Sequence, residues 1–404
     1  MPPSFTHLNT AFTMKHSPLV IENQGFVLES SLTGRELKIA CFPSLCVTTR
    51  GPIICGYQTA SQKNAVDSTI QLSRSLDGGI SWRNIDWCFD TRMHGVPGSL
   101  SNCEIIELDF GRLMLVSTWI NRSEPHRTFF DPVTEGILHT SVLRCFSSDN
   151  GNSWTAWRQI PLQPPDLSHH SSGPLLRFTD GSIILLTETH KSFDGHGESW
   201  LAEGSWLSIS SDQGESFSAP QLIAKHSTDE LMYWDGRLCL GETPDSWIAL
   251  YWTYSRIEQC DVSVRMQRGS LTDGHLTFLP PSDTHITAQI SAPIFTENTG
   301  WISICINRDT PGTIMGWQSL DSGATWMAKL ALYDHRASFS SLGGRARNLP
   351  STWEEISKWC FGHPAIRIID EDTALVVYYA GTLETMTIHW MRLKLGHRYA
   401  VTNG

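Results

Sequence analysis

Two carboxylates, one guanidinium and two imidazoles stand where strand-like apolar runs begin or end, and together they could carry out acid and base chemistry. In a hydrolase, Asp235 and Glu188 would act as acid and base on one anomeric carbon, about 5–10 Å apart. Arg237 would hold a substrate carboxylate through its bidentate fork. The candidate catalytic residues are Asp235, Arg237, Glu188, His363 and His170.

A second set of side chains at the same strand openings and exits could form the wall of a pocket. Its aromatic members would stack on sugar faces, and its polar members would orient a substrate. A lyase would instead need a base such as His170 or Tyr254, together with neutralisation of a uronate charge. The candidate substrate-binding residues are Tyr57, Glu104, Trp119, Lys191, Trp234, Trp252, Tyr254, Arg308 and Tyr379.

Each candidate also has a purely structural interpretation. Asp235 and Arg237 could form an ion pair that joins neighbouring strands, and Glu188 with Lys191 could be a solvated loop pair. The two histidines could be hydrogen-bonded packing residues, and the aromatic set could belong to the core.

A short turn motif recurs four times along the chain and indicates a repeat architecture. Each copy follows the pattern S-x-D-x-G-x-[ST]-[WF], in which serine and aspartate fold a tight turn and the aromatic residue packs beneath it. We refer to these segments as the Asp turns. They lie at residues 75–82, 147–154, 210–217 and 319–326, and a degenerate copy contains Asp273 and Gly274.

Between the Asp turns, apolar hairpins recur, each with two strands about ten residues apart. They begin at Phe42, Asn102, Ser172, Trp234, Ser291 and Gly362. With a third strand, an Asp turn and a fourth strand after most hairpins, the sequence predicts an all-β, six-bladed β-propeller with four-stranded blades.

Residues 1–404 are therefore predicted to form a single domain, with residues 1–20 as an N-terminal extension. The last blade, which contains Thr387–Leu395, lacks an Asp turn. The N-terminal segment GFVLESS (residues 25–31) is expected to supply its outer strand and close the ring.

Composition restricts the partners. The formal net charge is −11 and charged residues make up 18% of the chain, without a block of basic residues, which argues against a nucleic-acid partner. Neither a leader peptide nor a membrane span is visible, and the ten cysteines lack metal-site or disulfide-scaffold spacing. We expect a cytoplasmic protein with reduced core cysteines, although a secreted mature form is compatible with the sequence.

The four turns resemble the Asp boxes (BNR repeats) of the sialidase superfamily, and the resemblance extends from about Leu37 to Leu395. It implies the six-bladed fold and, in sialidases, three arginines on the substrate carboxylate, an aspartate acid/base and a tyrosine nucleophile. The family's first arginine lies in an Arg-Ile-Pro motif, where this chain has Cys41-Phe42-Pro43. The tyrosine normally opens the last blade, where this chain has Phe361-Gly362-His363. A standard sialidase mechanism is therefore not expected.

Three functions stay open from the sequence. The favoured one is a carbohydrate-active enzyme, either a glycoside hydrolase or a lyase. The alternative is a non-hydrolytic cyclase of secondary metabolism, of the pericyclic, hetero-Diels–Alder type, that would hold its substrate in a reactive pose while His363, Lys191 or Arg237 polarised a carbonyl. The third is a lectin-like binding propeller. A small molecule or a glycan is the expected ligand, and nothing in the sequence requires a metal or other cofactor.

Overall fold

Over the residues that the structure describes, the protein is all-β apart from one helical turn at residues 355–358. The computed structural model describes residues 12–16, 18–28, 38–171, 173–195, 204–225, 228, 230–309, 312–335, 355–396 and 398–402. The chain begins with two strands, β1 (Phe12–His16) and β2 (Val20–Phe26).

Antiparallel sheets of four or five strands then follow one another along the chain, and the strands of the first and last units belong to one eight-stranded sheet. Unit 1 consists of β3 (Ile39–Val47), β4 (Ile53–Ala60), β5 (Thr69–Ser75) and β6 (Arg83–Ile85). Unit 2 consists of β7 (Gly98–Asp109), β8 (Arg112–Asn121), β9 (Thr140–Ser147) and β10 (Arg158–Gln159). Unit 3 consists of β11 (Ser168–His170), β12 (Leu176–Arg177), β13 (Ile183–His190), β14 (Gly204–Ser210) and β15 (Gln221–Ala224). In unit 3 the first strand is interrupted, so that both β11 and β12 pair with β13.

Units 4, 5 and 6 repeat this order. Unit 4 consists of β16 (Leu231–Leu240), β17 (Ser246–Ser255), β18 (Cys260–Thr272), β19 (His275–Phe278) and the short β20 (Ser282–Asp283). Unit 5 consists of β21 (Ser291–Thr296), β22 (Gly300–Asn307), β23 (Gly312–Ser319) and β24 (Met327–His335). Unit 6 consists of β25 (Phe361–Asp370), β26 (Thr373–Gly381) and β27 (Met386–Lys394), and β28 (Arg398–Thr402) follows it.

The first strands of the units contact one another in a cycle. Contacts run from β3 to β7, β12, β16, β21 and β25, and β25 contacts β3 again. The cores lie between adjacent sheets: Ile54 and Leu72 of unit 1, for example, share one apolar cluster with Ile105 and Leu115 of unit 2. Burial on both faces explains why β4 reads as an almost continuous apolar run, and all eight of its residues are buried.

The Asp turns connect the third and fourth strands of their units through one shared hydrogen-bond network. In the first, Asp77 accepts hydrogen bonds from Ser81 N (2.9 Å) and from the Ser81 and Ser75 hydroxyls. Gly79 N donates to Ser75 Oγ, and the Trp82 indole N–H donates to Gly79 O at 3.0 Å. The tryptophan after the turn therefore closes it with a hydrogen bond as well as by packing.

The N-terminal β2 pairs with β27 in the sheet of the last unit, whereas β1 pairs with β28 in a separate two-stranded sheet, and the N-terminal contribution begins earlier than predicted. The outer strand on β27 is β2, from Val20 to Phe26, and not GFVLESS. Only residues 25 and 26 of that segment lie in the strand, and residues 29–31 lie outside the described residues. Residues 12–16, within the predicted extension, form β1 and pair with the C-terminal β28.

Candidate functional site

Three of the first strands carry a β-bulge in which one residue has a left-handed backbone. The residues are Phe42 (φ 53°) in β3, Asp235 (φ 45°) in β16 and His363 (φ 49°) in β25. A bulge re-aims a side chain that would otherwise remain in the sheet face, and positive φ is unfavourable for residues other than glycine. All three side chains line the same cavity.

This cavity has a volume of about 810 Å³ and a mainly apolar surface to which seven aromatic residues contribute. Side chains from several units and from two connecting segments, around residues 128–137 and 355–359, contribute to it. The aromatic residues in the wall are Phe42, Phe129, Phe130, Trp234, Trp252, Trp359 and Tyr379. The titratable residues are Lys63, His170, Glu188, His190, Asp235, Arg308 and His363.

A buried arginine organises the polar side of the cavity from behind. The Arg237 side chain is 3% exposed, and its guanidinium lies 3.7 Å from Glu104 and 3.9 Å from Asp235. It also donates to His363 Nε2. Burial raises the pKa of Glu104 to about 7 although Arg237 and Arg367 oppose this shift. Burial likewise raises the pKa of Asp235, against the effect of Arg237 and Arg308.

The second carboxylate lies beside the first. Glu188 Oε1 accepts a hydrogen bond from the backbone N–H of Gly236, 3.0 Å away, and Gly236 directly follows Asp235. β13 therefore brings Glu188 next to the bulge of β16. Two carboxylates consequently occupy one side of the cavity, with their oxygens partly engaged by the protein itself.

The histidines of the cavity are uncharged at neutral pH. Burial lowers the pKa of His170 to about 3 and that of His190 to about 4. The pKa of His363 is well below its usual value because of burial and the nearby Arg237. Since an arginine can only donate, His363 Nε2 is the acceptor and the proton of the neutral ring lies on Nδ1.

Two cations lie against aromatic residues of the wall. Arg308 donates to Gln289 Oε1 (2.7 Å) and to Phe361 O (3.1 Å), and its guanidinium carbon lies 4.0 Å from the Trp359 ring centroid. Lys63, in the loop after β4, donates to two backbone carbonyls of the 355–359 segment. Sequence reasoning missed Lys63 because its surroundings, SQKNAVDS, read as an ordinary polar loop.

The structure brings eight of the sequence-predicted site residues to the cavity. They are Asp235, Glu188, His363, His170, Trp234, Trp252, Arg308 and Tyr379. Glu104 and Arg237 do not line it but form the layer behind Asp235 and His363. Tyr254 stacks on Trp234, with ring centroids 5.7 Å apart, and belongs to the core.

The other three predicted binding residues are placed elsewhere. Tyr57 points into the core between sheets, where its hydroxyl bonds with Ser73 at 2.8 Å. The Trp119 indole is also in the core and donates to Thr91 O. Lys191 donates to Thr134 O and anchors the 128–137 segment. Successive side chains of a strand alternate between faces, so an exit position does not by itself determine which residue reaches the cavity.

In the part of the chain that the structure describes, no group of three or more His, Cys, Asp or Glu side chains is arranged to hold a metal ion. Over the same residues, no helix is long and apolar enough to span a membrane. All ten cysteines are free, and the thiols of Cys41, Cys46, Cys55 and Cys305 are buried.

Comparison with solved structures identifies the architecture. A Dyadobacter fermentans protein of unknown function superposes with a TM-score of 0.68 at 15% identity, covering 94% of this chain and 99% of its own. A Hadza microbial sialidase gives 0.64 at 16%, covering 92% and 68%. The α-L-arabinanase of Penicillium chrysogenum, solved with arabinobiose, gives 0.57 at 13%, covering 94% and 98%. The fold is that of the sialidase propellers.

This chain is a divergent example of that fold. No protein-family model matches it, and no curated protein matches it. At the two strand openings where the sialidase pattern has its first arginine and its tyrosine, the structure has the buried Cys41, one residue before Phe42 of the cavity wall, and Phe361 beneath Arg308. The solved structures with this architecture include glycoside hydrolases, namely the sialidase and the arabinanase named above.

Proposed function

We propose that the chain is a six-bladed propeller whose central cavity binds a largely apolar, unsaturated small molecule and cyclises it without hydrolysis. The observation that carries the proposal is the composition of the wall. Seven aromatic side chains and several aliphatic ones line the cavity, its surface is mainly apolar, and most of its charged groups are already bonded to the protein, although uncharged polar side chains such as Asn64 and Asn102 also line it. Such a wall favours shape-dependent packing over the recognition of many hydroxyl groups.

A sugar requires a different wall. Each buried hydroxyl needs a hydrogen-bond partner, because an unsatisfied polar group is unfavourable in a desolvated site. Here Glu188 accepts from Gly236, His363 accepts from Arg237, and Lys63 donates to two carbonyls. Arg308 is the arginine of the wall, whereas a sialic acid carboxylate in this fold is held by three.

Cyclisation needs mainly a compressed, reactive pose and a donor on a substrate carbonyl. The aromatic wall can supply the first. Arg308 supports the second, because its guanidinium lines the cavity as a fixed positive charge, held by hydrogen bonds to Gln289 and Phe361 and next to the Tyr379 hydroxyl. Of the other donors expected from the sequence, Arg237 and Lys191 lie outside the wall, whereas His363 lines the cavity and its Nδ1–H has no hydrogen-bond partner among the described residues.

A glycoside hydrolase is the second candidate, and one observation favours it. Asp235 and Glu188 are adjacent on one side of the cavity, and burial raises the pKa of Asp235, as a general acid requires.

Ligand binding followed by product analysis tests the two functions against each other. We would measure thermal unfolding with a panel of unsaturated terpenoids and aromatic polyketides, and separately with arabinobiose and 3′-sialyllactose. We expect stabilisation by members of the apolar panel, lost in Trp252→Ala and kept in Phe110→Ala, since Phe110 is 71% exposed and outside the cavity. A bound apolar ligand should be converted to an isomer of equal mass. Release of reducing sugar that disappears in Asp235→Asn would overturn the proposal in favour of hydrolysis.

A further inference from the structure

The side chain of Lys63 is held in the cavity wall by two short hydrogen bonds. Its Nζ donates to Ile356 O at 2.6 Å and to Trp359 O at 2.8 Å. The same nitrogen lies 5.8 Å from the Phe42 ring centroid and 5.6 Å from that of Tyr379. An amine that normally moves freely in solvent is thereby fixed at the edge of a desolvated aromatic pocket.

No carboxylate among the described residues lies within ion-pair distance of this amine. Its titratable neighbours are Arg308, which disfavours a second positive charge, and the thiols of Cys41 and Cys360, which are uncharged at neutral pH because burial raises their pKa values. Burial is the largest effect and lowers the pKa of Lys63 to about 7. A large fraction of the amine is therefore unprotonated at neutral pH.

The two hydrogen bonds match the valence of a neutral amine. An unprotonated lysine has two N–H groups and one lone pair, and the two carbonyls accept both N–H groups. Only the lone pair of Nζ is then left for a bond to another molecule, and Lys63 lines the cavity in which such a molecule would lie. Desolvation in an apolar site is a known way to make a lysine nucleophilic.

We propose that Lys63 is a nucleophile that condenses with an aldehyde or ketone carbon of the bound molecule to form an imine. The lone pair of Nζ attacks the carbonyl carbon, and the π pair of the C=O bond moves to oxygen. Both Nζ protons pass to that oxygen, which leaves as water while the C=N bond forms. The proposal shares the cavity of the proposed function but does not depend on cyclisation, and hydrolysis of the imine by water restores the amine.

Imine formation also has a structural consequence. Because Nζ loses both protons, Ile356 O and Trp359 O lose their donors. The 355–359 segment, which forms part of the wall, is then no longer tied to Lys63. Binding of a carbonyl compound should thus alter the surroundings of Trp359.

Reductive trapping on the full chain tests the proposal. The protein is incubated at pH 7 with trans-cinnamaldehyde and sodium cyanoborohydride, and the modified residues are located by peptide mass mapping. At this pH about half of the Lys63 amine is unprotonated, against roughly one in 2,500 for an ordinary lysine with a pKa near 10.4. We expect Lys63 to be labelled more than about tenfold faster than the exposed Lys329.

Two further measurements complete the test. In Lys63→Arg, which keeps donors for the two carbonyls, the fast label should disappear while the slow labelling of Lys329 continues. In the unaltered protein, the rate at Lys63 should rise with pH through about pH 7 and then level off. Equal rates at the two lysines, or no label on Lys63, would overturn the proposal. Neither result bears on cyclisation, which the apolar ligand panel tests separately.

Discussion

Arg237 is the shared partner of the titratable side chains behind and beside the cavity. Its guanidinium contacts Glu104, Asp235 and His363, and the side chain is 3% exposed. A buried ion pair adds little net stability compared with an apolar replacement, but breaking one member leaves an uncompensated charge. The arginine is thus a positioning residue, and its removal should affect folding as well as the site.

A double-mutant comparison separates these effects. We expect Arg237→Leu to lower the free energy of unfolding by about 3–5 kcal/mol, because Glu104 then lies buried without its partner. The double variant Arg237→Leu with Glu104→Leu should recover about 2 kcal/mol or more of that loss. Urea unfolding followed by tryptophan fluorescence measures both values. A double variant no more stable than Arg237→Leu would show that the pair is not coupled.

Glu104 also predicts a pH dependence of stability. Its pKa is about 7 in the folded protein and about 4.3 in an unfolded chain, so the folded state retains the proton to higher pH. The contribution of Glu104 to stability is thus fully present below about pH 4 and is lost as the pH rises towards 7.

The variant Glu104→Gln cannot titrate and serves as the reference. The free energy of unfolding of Glu104→Gln minus that of the unaltered protein should increase between pH 4 and pH 7, by on the order of 3 kcal/mol, and stay constant above. Urea unfolding at each pH gives this difference. A difference that does not change with pH would contradict the raised pKa.

At the scale of the strands, the bulges decide which residues reach the cavity. Phe42, Asp235 and His363 each occupy the left-handed region, a conformation that costs about 1–2 kcal/mol for most residues and less for Asn or Asp. The surrounding sheets over-determine this geometry, which is typical of functional sites.

The stability of variants at position 235 should therefore follow how readily each residue adopts a positive φ. We expect the free energy of unfolding of Asp235→Val to be about 1–2 kcal/mol lower than that of Asp235→Asn, since valine is β-branched and disfavours positive φ. Asp235→Gly, which has no Cβ, should be at least as stable as Asp235→Asn. Thermal and urea unfolding measure the series. If valine were tolerated as well as asparagine, the bulge would not be strained.

The strands were predictable from the sequence because their signals are local, whereas the cavity was only partly so. The Asp turn around Asp77 and the apolar hairpins predict strand order from spacing alone. The bulges shift the register by a residue and so change which side chain faces inward. Lys63 reaches the cavity only because the 355–359 segment, distant in sequence, passes next to it. Tyr57 lies in the core, and not in the cavity wall, because its side chain stands on a face of β4 that packs against other core residues.

For the whole molecule, the decisive feature is that the N-terminal β2 pairs with β27, near the other end of the chain. β2 covers the outer edge of β27, and Val27 and Leu28 continue from it into a core cluster shared by units 1 and 6. The N-terminal segment thus completes a sheet made otherwise from the end of the chain. An uncovered sheet edge would be open to pairing with another chain.

Two truncations test this closure. Removal of residues 1–28 should expose the edge of β27 and delete three buried side chains, Leu19, Val27 and Leu28, each contributing about 1.5–3 kcal/mol. We expect a loss of several kcal/mol and aggregation on size-exclusion chromatography. Removal of residues 1–17 deletes β1 but keeps β2 and those three side chains, so it should leave a monodisperse protein with a much smaller shift in melting temperature. If the shorter truncation were as damaging as the longer one, the pairing of β1 with β28, and not the covering of β27 by β2, would be what holds the two ends of the chain together.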